Sequence, residues 1–256
     1  MSYFLMAMLS LGAVVANAII IKQTAFKNNK LTCNDYILNT YLYVLLGFLI
    51  ISTIILATFE NSKMQNVLKT IFGSIFSIIL FLIVYVGIII WFYMIDPKDN
   101  LLLLHIVWLL CILMFSILLY IPVQFAYLQN ILKPAILVTL LITVTVVYLG
   151  IKYGDKIITF DWDKYLRIAL IMLIGVYISL MFYPPNQIQT TLYILSAVSL
   201  VIFTLLLLSY NKKLTERAKE CHKDNNPNYP KESMGLIIKV MNIFMDILKL
   251  MSRKRR

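Results

Sequence analysis

The chain has 256 residues, of which 61% are hydrophobic and only 14% are charged. Soluble domains carry about a quarter charged residues and under half apolar ones, so this composition excludes a soluble enzyme. The 23 Lys and Arg residues exceed the 12 Asp and Glu residues by 11. In a membrane protein such an excess indicates how the chain is oriented in the bilayer and that it binds anionic lipid headgroups, so it does not predict a nucleic-acid partner.

Seven runs that hold no charged residue apart from Arg167, at the start of the sixth run, are long enough to cross a bilayer. The hydrocarbon core of a bilayer is roughly 30 Å thick and needs about 20 apolar residues. The hydrophobicity of these runs is continuous, which excludes alternating barrel strands and leaves helices, because only helices then satisfy the backbone inside lipid. The sequence therefore predicts an all-α fold, a polytopic integral membrane helical bundle. The seven predicted spans are residues 3–21, 38–58, 70–95, 101–121, 134–150, 166–183 and 190–209.

The basic residues are divided unevenly between the two sides of these spans. Fourteen lie in the loops after spans one, three and five and in the stretch after span seven, whereas the opposite side has only Lys63, Lys69 and Lys133. The positive-inside rule therefore predicts a lumenal or outside N-terminus and a cytosolic segment 210–233. We expect an endomembrane location, or a virion inner membrane derived from one.

Residues that could carry chemistry are few. Cys33, Cys111 and Cys221 are widely spaced, and this spacing predicts neither a disulfide framework nor a zinc site. A phosphate-binding loop, a nucleophile elbow and a His-Glu metal helix are all missing from the sequence, so we expect no enzyme, no metal and no cofactor. His105, near one end of span four, is predicted to be a helix-end histidine with polar partners, in preference to a proton relay.

The segment 234–256 is the most informative part of the chain, because polar residues recur in it at steps of three and four and so share one helical face. Such a stripe fits a helix at the membrane interface or one inside a bundle that lines a water-filled centre; we favour a helix that does not fully cross. The stripe consists of Lys239, Asn242, Asp246 and Lys249. The tail, predicted to dock on anionic lipid or a partner, consists of Arg253, Lys254, Arg255 and Arg256.

Three stretches of the carboxyl-terminal half, taken in order, carry a family resemblance. They are PAILVTLLITVTVVYLGIKYGDKIITFDWDKYLRIAL, LYILSAVSLVIFTLLLLSYNKKL and NYPKESMGLIIKVMNIFMDILKLMSR, the last with Asn242-Ile243-Phe244 and Lys249 in the family pattern. They resemble the fourth and fifth helices with their loop, the sixth helix and the closing helix of the Bax inhibitor (TMBIM) family. That family is a seven-helix fold of calcium-leak channels and cell-death suppressors. The resemblance covers residues 134–252, and more loosely 38–252.

The resemblance also implies a site. In the family, an aspartate that ends the sixth helix and one in the closing helix share a proton and close the pore, because like charges held close raise one pKa. Here the corresponding residues are Asn211 and Lys239, and Asn242 and Asp246 share the same pore or latch region. Neither replacement is a carboxylate, and a lysine would repel calcium. We therefore expect the fold without the proton-gated leak.

The resemblance divides the chain into four predicted parts. Residues 1–37 would be an extra N-terminal transmembrane helix with a cytosolic loop, and residues 38–209 a six-helix transmembrane bundle. Residues 210–233 would be a cytosolic linker, and residues 234–256 a closing helix with a basic tail.

Three functions remain open on sequence alone. The first is a Bax-inhibitor-like ion leak or regulator of apoptosis. The second is a structural membrane anchor in a large assembly such as a virion inner membrane, with other membrane or capsid-type proteins as partners. The third is a membrane subunit of a respiratory complex, since LIVYVGIIIWFYMI resembles the third helix of the ND-six-type subunit of complex I, with Gly87 as its flexible point.

Overall fold

The structure is a computed structural model that describes residues 3–27, 30–98, 100–158, 162–180, 185–224 and 227–252. Within these ranges the regular secondary structure is helical apart from one antiparallel hairpin with two residues in each strand, which confirms the predicted all-α fold. The hairpin strands are β1 (Phe26–Lys27) and β2 (Lys30–Leu31). The helices are α1 (Tyr3–Ala25), α2 (Tyr36–Glu60), α3 (Ser62–Phe72), α4 (Ile75–Met94), α5 (Leu101–Leu128), α6 (Leu132–Ile157), α7 (Trp162–Leu180), α8 (Pro185–Asp224) and α9 (Tyr229–Ser252).

Among the residues that the structure describes, six helices are long and apolar enough to cross a membrane, and they coincide with six of the seven predicted spans. Many of their outward side chains are large and apolar, as expected for surfaces that contact lipid. The remaining predicted span, 166–183, corresponds to α7, which is helical to Leu180 but is not among the six. The candidate spans are Leu5–Ala25, Tyr36–Phe59, Ile75–Met94, Leu101–Leu128, Leu132–Ile157 and Gln189–Cys221.

Polar residues shape the connections before α5 and before α6. In the connection from α4 to α5, the backbone N–H of Lys98 donates to Asp96 Oδ1 at 2.9 Å, and Asn100 Oδ1 accepts from Leu103 N at 3.0 Å, which caps the start of α5. Between α5 and α6, Asn130 adopts a φ of 55°, a left-handed conformation that asparagine tolerates better than most residues.

Two helical features differ from the sequence prediction. Residues 62–72 form the separate helix α3, so the predicted span 70–95 begins only at Ile75, where α4 starts. The segment 210–233, predicted as a linker, is helical as far as Asp224, and α9 already begins at Tyr229. The segment is polar, which is typical of a linker, but its Lys, Glu, Leu and Ala residues are good helix formers and extend α8 beyond its apolar part.

The chain divides into two compact units. The first comprises Met1–Ile121 and Ala218–Ile237, and the second comprises Pro122–Arg217 and Ile238–Arg256. Helices α5, α8 and α9 each contribute residues to both units. The two units are described separately below.

A disulfide in the first unit overturns the cysteine prediction. Cys33 and Cys221 are bonded, with their Cα atoms 5.7 Å apart, although they are separated by 188 positions in sequence. The expectation of no disulfide was wrong because spacing along the chain does not report distance in the fold. Cys111, the third cysteine, is buried and has a free thiol.

The beginning of α9 is anchored in the same unit. The hydroxyl of Tyr229 donates to the backbone oxygen of Thr32, next to the disulfide, and its ring stacks on that of Tyr43 with centroids 5.9 Å apart. Four residues along α9, Ser233 Oγ accepts from the indole N–H of Trp108 at 3.1 Å. These hydrogen bonds satisfy the buried hydroxyl groups of Tyr229 and Ser233 at the start of α9.

His105 has the polar partners predicted for it. Its Nδ1 lies 2.8 Å from the backbone oxygen of Leu101, and because a carbonyl can only accept, Nδ1 carries the hydrogen. In the neutral ring Nε2 is then an acceptor, and the hydroxyl of Tyr43, 2.8 Å away, donates to it. The histidine is therefore held in one tautomer near the start of α5.

Candidate functional site

Two glycines position α6 against α8 in the second unit. A Cβ at Gly150 would lie 2.6 Å from Cβ of Asn211 and 2.9 Å from the backbone oxygen of Leu208, and a Cβ at Gly154 would lie 2.9 Å from Cβ of Lys212. Glycines four residues apart allow membrane helices to approach this closely. The part of α8 that carries Asn211, which the resemblance predicts to be a latch position, is thus in direct contact with α6.

Asn211 is fully buried at this contact. Its Nδ2 donates to the backbone oxygen of Leu207 in its own helix at 2.8 Å, so part of the desolvation cost of the amide is offset. An amide neither gains nor loses a proton in the physiological range. This position therefore holds a polar group that cannot share a proton with a partner carboxylate.

Lys239 lies beside the neighbour of Asn211. Its Nζ is 4.0 Å from the centroid of the Tyr210 ring, and Cζ of Arg217 is 5.6 Å from the same centroid. A cation over an aromatic face is attracted by the ring quadrupole, the more strongly where water is excluded. The structure thus places Lys239 against Tyr210, the residue that precedes Asn211 in α8. The correspondence of Asn211 and Lys239 to the family's latch stays a prediction.

Asp246 of α9 contacts α8 at a different position from Lys239. It is 3% exposed, and its Oδ2 accepts from Ser199 Oγ at 2.5 Å, while Lys249 Nζ lies 3.8 Å from Oδ1. A buried carboxylate needs such partners, because an unpaired charge in the interior is costly. Ser199 and Asn211 are twelve residues apart, about 18 Å along a helix, so Asp246 does not share the site of Asn211.

The polar stripe of α9 is thus divided between two places. Lys239 contacts Tyr210, Asp246 contacts Ser199, and Asn242 between them donates from Nδ2 to the backbone oxygen of Ile238 at 2.7 Å. All side chains from 232 to 248 are buried or half-buried. Of the two settings left open by the sequence, burial in the protein interior fits these side chains better than a flat position at the surface.

Some residues of the site were missed by sequence reasoning. Tyr210 and Ser199 have no local signal, because their roles depend on which face of α8 meets α9. Gly150 and Gly154 do have one, the four-residue glycine spacing within an apolar run. No group of three metal-ligating side chains occurs among the positions with described structure. The predicted docking tail lies outside them and consists of Arg253, Lys254, Arg255 and Arg256.

Comparison with known proteins agrees with this architecture. The family model described as "Inhibitor of apoptosis-promoting Bax1" matches residues 33–256. No curated protein and no solved structure matches the chain. The match begins at Cys33, so α1 and the hairpin precede it. The spans from α2 onward and α9 lie within it, together with Asn211 and Lys239. With most of its length matched, the chain belongs to the Bax inhibitor family and is a multi-pass membrane protein of a non-enzymatic kind.

Proposed function

We propose that this protein keeps the membrane bundle of the Bax inhibitor family but does not conduct a proton-gated calcium leak. The observation that carries the proposal is the ammonium group of Lys239, 4.0 Å from the centroid of the Tyr210 ring. The resemblance aligns Lys239 with a latch aspartate. The resemblance aligns the second latch aspartate with Asn211, whose amide is buried. A role in cell-death regulation would then be exerted by the folded bundle without a calcium current.

The electrostatic reason is a reversal of charge at the latch. Two carboxylates that share a proton carry one negative charge together, and this charge both attracts calcium and responds to pH. An amide and an ammonium carry one positive charge together, which repels a divalent cation, the more so where water is scarce. The amide of Asn211 and the ammonium of Lys239 cannot form a carboxylate pair that shares one proton, because the amide does not titrate and the ammonium has no acceptor.

Calcium flux from reconstituted vesicles tests the proposal. We expect the purified chain in liposomes that contain a calcium indicator to leak no faster than protein-free liposomes, from mildly acidic to mildly alkaline pH. The double variant Asn211→Asp/Lys239→Asp is expected to introduce calcium release that varies with pH.

Asn242→Asp provides the matched control, since it adds a carboxylate to the same face of α9 without rebuilding the pair. This variant is expected to behave like the unmodified chain. A pH-dependent leak through the unmodified chain would contradict the proposal, as would equal leaks through the double variant and the control.

A second candidate function, that of a structural membrane anchor, is favoured by α1. This helix precedes the family match, and its residues Leu9, Val15 and Ile19 are exposed and apolar. An anchor would use such a face to join other membrane proteins. We expect a chain without residues 1–25 to lose any proteins that co-purify in stoichiometric amounts, with no change in calcium flux. A full-length chain that is monodisperse alone in mild detergent would contradict this role.

A further inference from the structure

Helix α3 stands apart from the spans on either side of it. Asn61 has an extended backbone, with φ −102° and ψ 101°, which ends α2 and starts a new helix. Its side-chain Oδ1 accepts from the backbone N–H groups of Lys63 at 3.0 Å and Met64 at 3.2 Å. The cap satisfies donors that a helix start leaves open, so α3 has a defined beginning of its own.

The 11 residues of α3 divide cleanly into two faces at the helical period of 3.6 residues. The polar face includes Lys63 and Lys69. The apolar face consists of Met64, Val67, Leu68, Ile71 and Phe72.

Only part of the apolar face is covered by the protein. Leu68 is buried at 8% exposure, and the ring of Phe72 lies 6.2 Å from that of Phe81 in α4. Met64 and Val67 are 38% and 58% exposed. One edge of the apolar stripe therefore packs on the first unit, while the other edge remains open.

The neighbouring helices fix where α3 lies relative to a bilayer. α2 has 25 residues and α4 has 20, about 37 Å and 30 Å at 1.5 Å per residue, so each can cross the roughly 30 Å of hydrocarbon. α3 is joined to α2 through Asn61 alone and to α4 through Gly73 and Ser74. It therefore lies where both spans leave the membrane on the same side.

We propose that α3 lies flat in the interface of the bilayer and that phospholipid covers its open apolar edge. Lys63 and Lys69 exclude a position within hydrocarbon, because a charged group there is costly. Met64 and Val67, adjoining two spans, would enter the acyl-chain boundary, while the two ammonium groups reach lipid phosphates. The bilayer that must surround α2 and α4 also supplies the partner for α3.

Spin labels on adjacent residues test this position. Val67→Cys and Asn66→Cys place a nitroxide on the open apolar edge and on the polar face, each in a Cys111→Ser background with the Cys33–Cys221 disulfide left intact. In vesicles of phosphatidylcholine and phosphatidylglycerol, collision rates are measured with oxygen, which concentrates in lipid, and with a water-soluble nickel chelate. We expect the oxygen-to-nickel ratio to be several-fold higher at 67 than at 66.

Two outcomes would overturn the proposal. Equal access of both labels to nickel would place α3 in water, and shielding of the label at 67 from both agents would mean that protein covers the open edge. Retained circular dichroism of each labelled variant verifies that the helices are formed.

Discussion

Gly150 occupies a position in the second unit where a side chain has no room. The space that its Cβ would take is filled by Cβ of Asn211 and by the backbone oxygen of Leu208. The backbone oxygen cannot rotate away as the end of a long side chain could. At this residue the packing of α6 on α8 therefore depends on the absence of a methyl group.

We expect Gly150→Ala to lower the stability of the protein. Alanine favours a helix over glycine by about 1 kcal/mol, but overpacking typically costs about 1–3 kcal/mol, so the contact decides the sign. Thermal unfolding in detergent measures the effect. Gly175→Ala in α7 is the control, since nothing lies within 4 Å of a Cβ there, and its stability should be unchanged or slightly raised. Equal stability of the two variants would contradict the expected clash.

Ser199 shows why part of the site was beyond sequence analysis. The helical period placed Lys239 and Asp246 on one face of α9 correctly, because that relation is local. Which residue of α8 each one meets depends on how two helices pack, and the sequence carries no periodic signal for it. Two turns of α9 separate Lys239 at Tyr210 from Asp246 at Ser199, so a single polar stripe became two distinct contacts.

At the scale of elements, the sequence predicted most spans and the closing helix, but it did not predict the separate helix α3 or the polar end of α8. A search for charge-free runs finds the helices whose solvent is lipid, which is why six of them coincide with predicted spans. It misses α3, where apolar residues recur every three or four positions, and the polar end of α8, which continues to Asp224. The hydrophobic period would have found α3; α8 has no such signal beyond its apolar part.

The contact between α8 and α9 gives a prediction at this scale. Ser199→Ala removes the donor to the buried carboxylate of Asp246, and we expect it to destabilise the protein by about 1–3 kcal/mol, since hydrogen bonds to charged groups are strong. Ser196→Ala is the matched control, because Ser196 is also buried but donates to the backbone oxygen of Leu192 in its own helix. Chemical denaturation in detergent compares the two, and a larger effect at Ser196 would contradict the assignment.

For the whole molecule, the disulfide and the distribution of charge both bear on which side of the membrane Cys33 and Cys221 lie. The positive-inside rule predicts that the loop with Cys33 and the segment with Cys221 face the cytosol, whereas disulfides are typical of oxidising compartments. The orientation stays a prediction. On a cytosolic face the disulfide would be reversible, because the cytosol keeps thiols reduced. On a lumenal face it would be permanent.

Counting thiols tests the bond directly. When the chain is purified without reductant, denatured and treated with a polyethylene-glycol maleimide, we expect one adduct, at Cys111, and three adducts after reduction. Cys33→Ser and Cys221→Ser should each give two adducts without reduction, because either change frees the other thiol. Three adducts on the unreduced chain would show that the bond does not form.

The disulfide also constrains the parity of membrane crossings. Two bonded sulfurs lie on the same side of a bilayer, so the chain from Cys33 to Cys221 must cross an even number of times. Only five of the six candidate spans fall in that interval, an odd number, and α7 is the helix that makes it even. The second unit leads independently to the same result: Lys212 Nζ donates to the backbone oxygen of Ile158 at 2.9 Å, with α7 and the apolar part of α8 between them. Because the apolar part of α8 crosses the membrane once between these two residues, a second crossing is needed there, and we expect α7 to provide it.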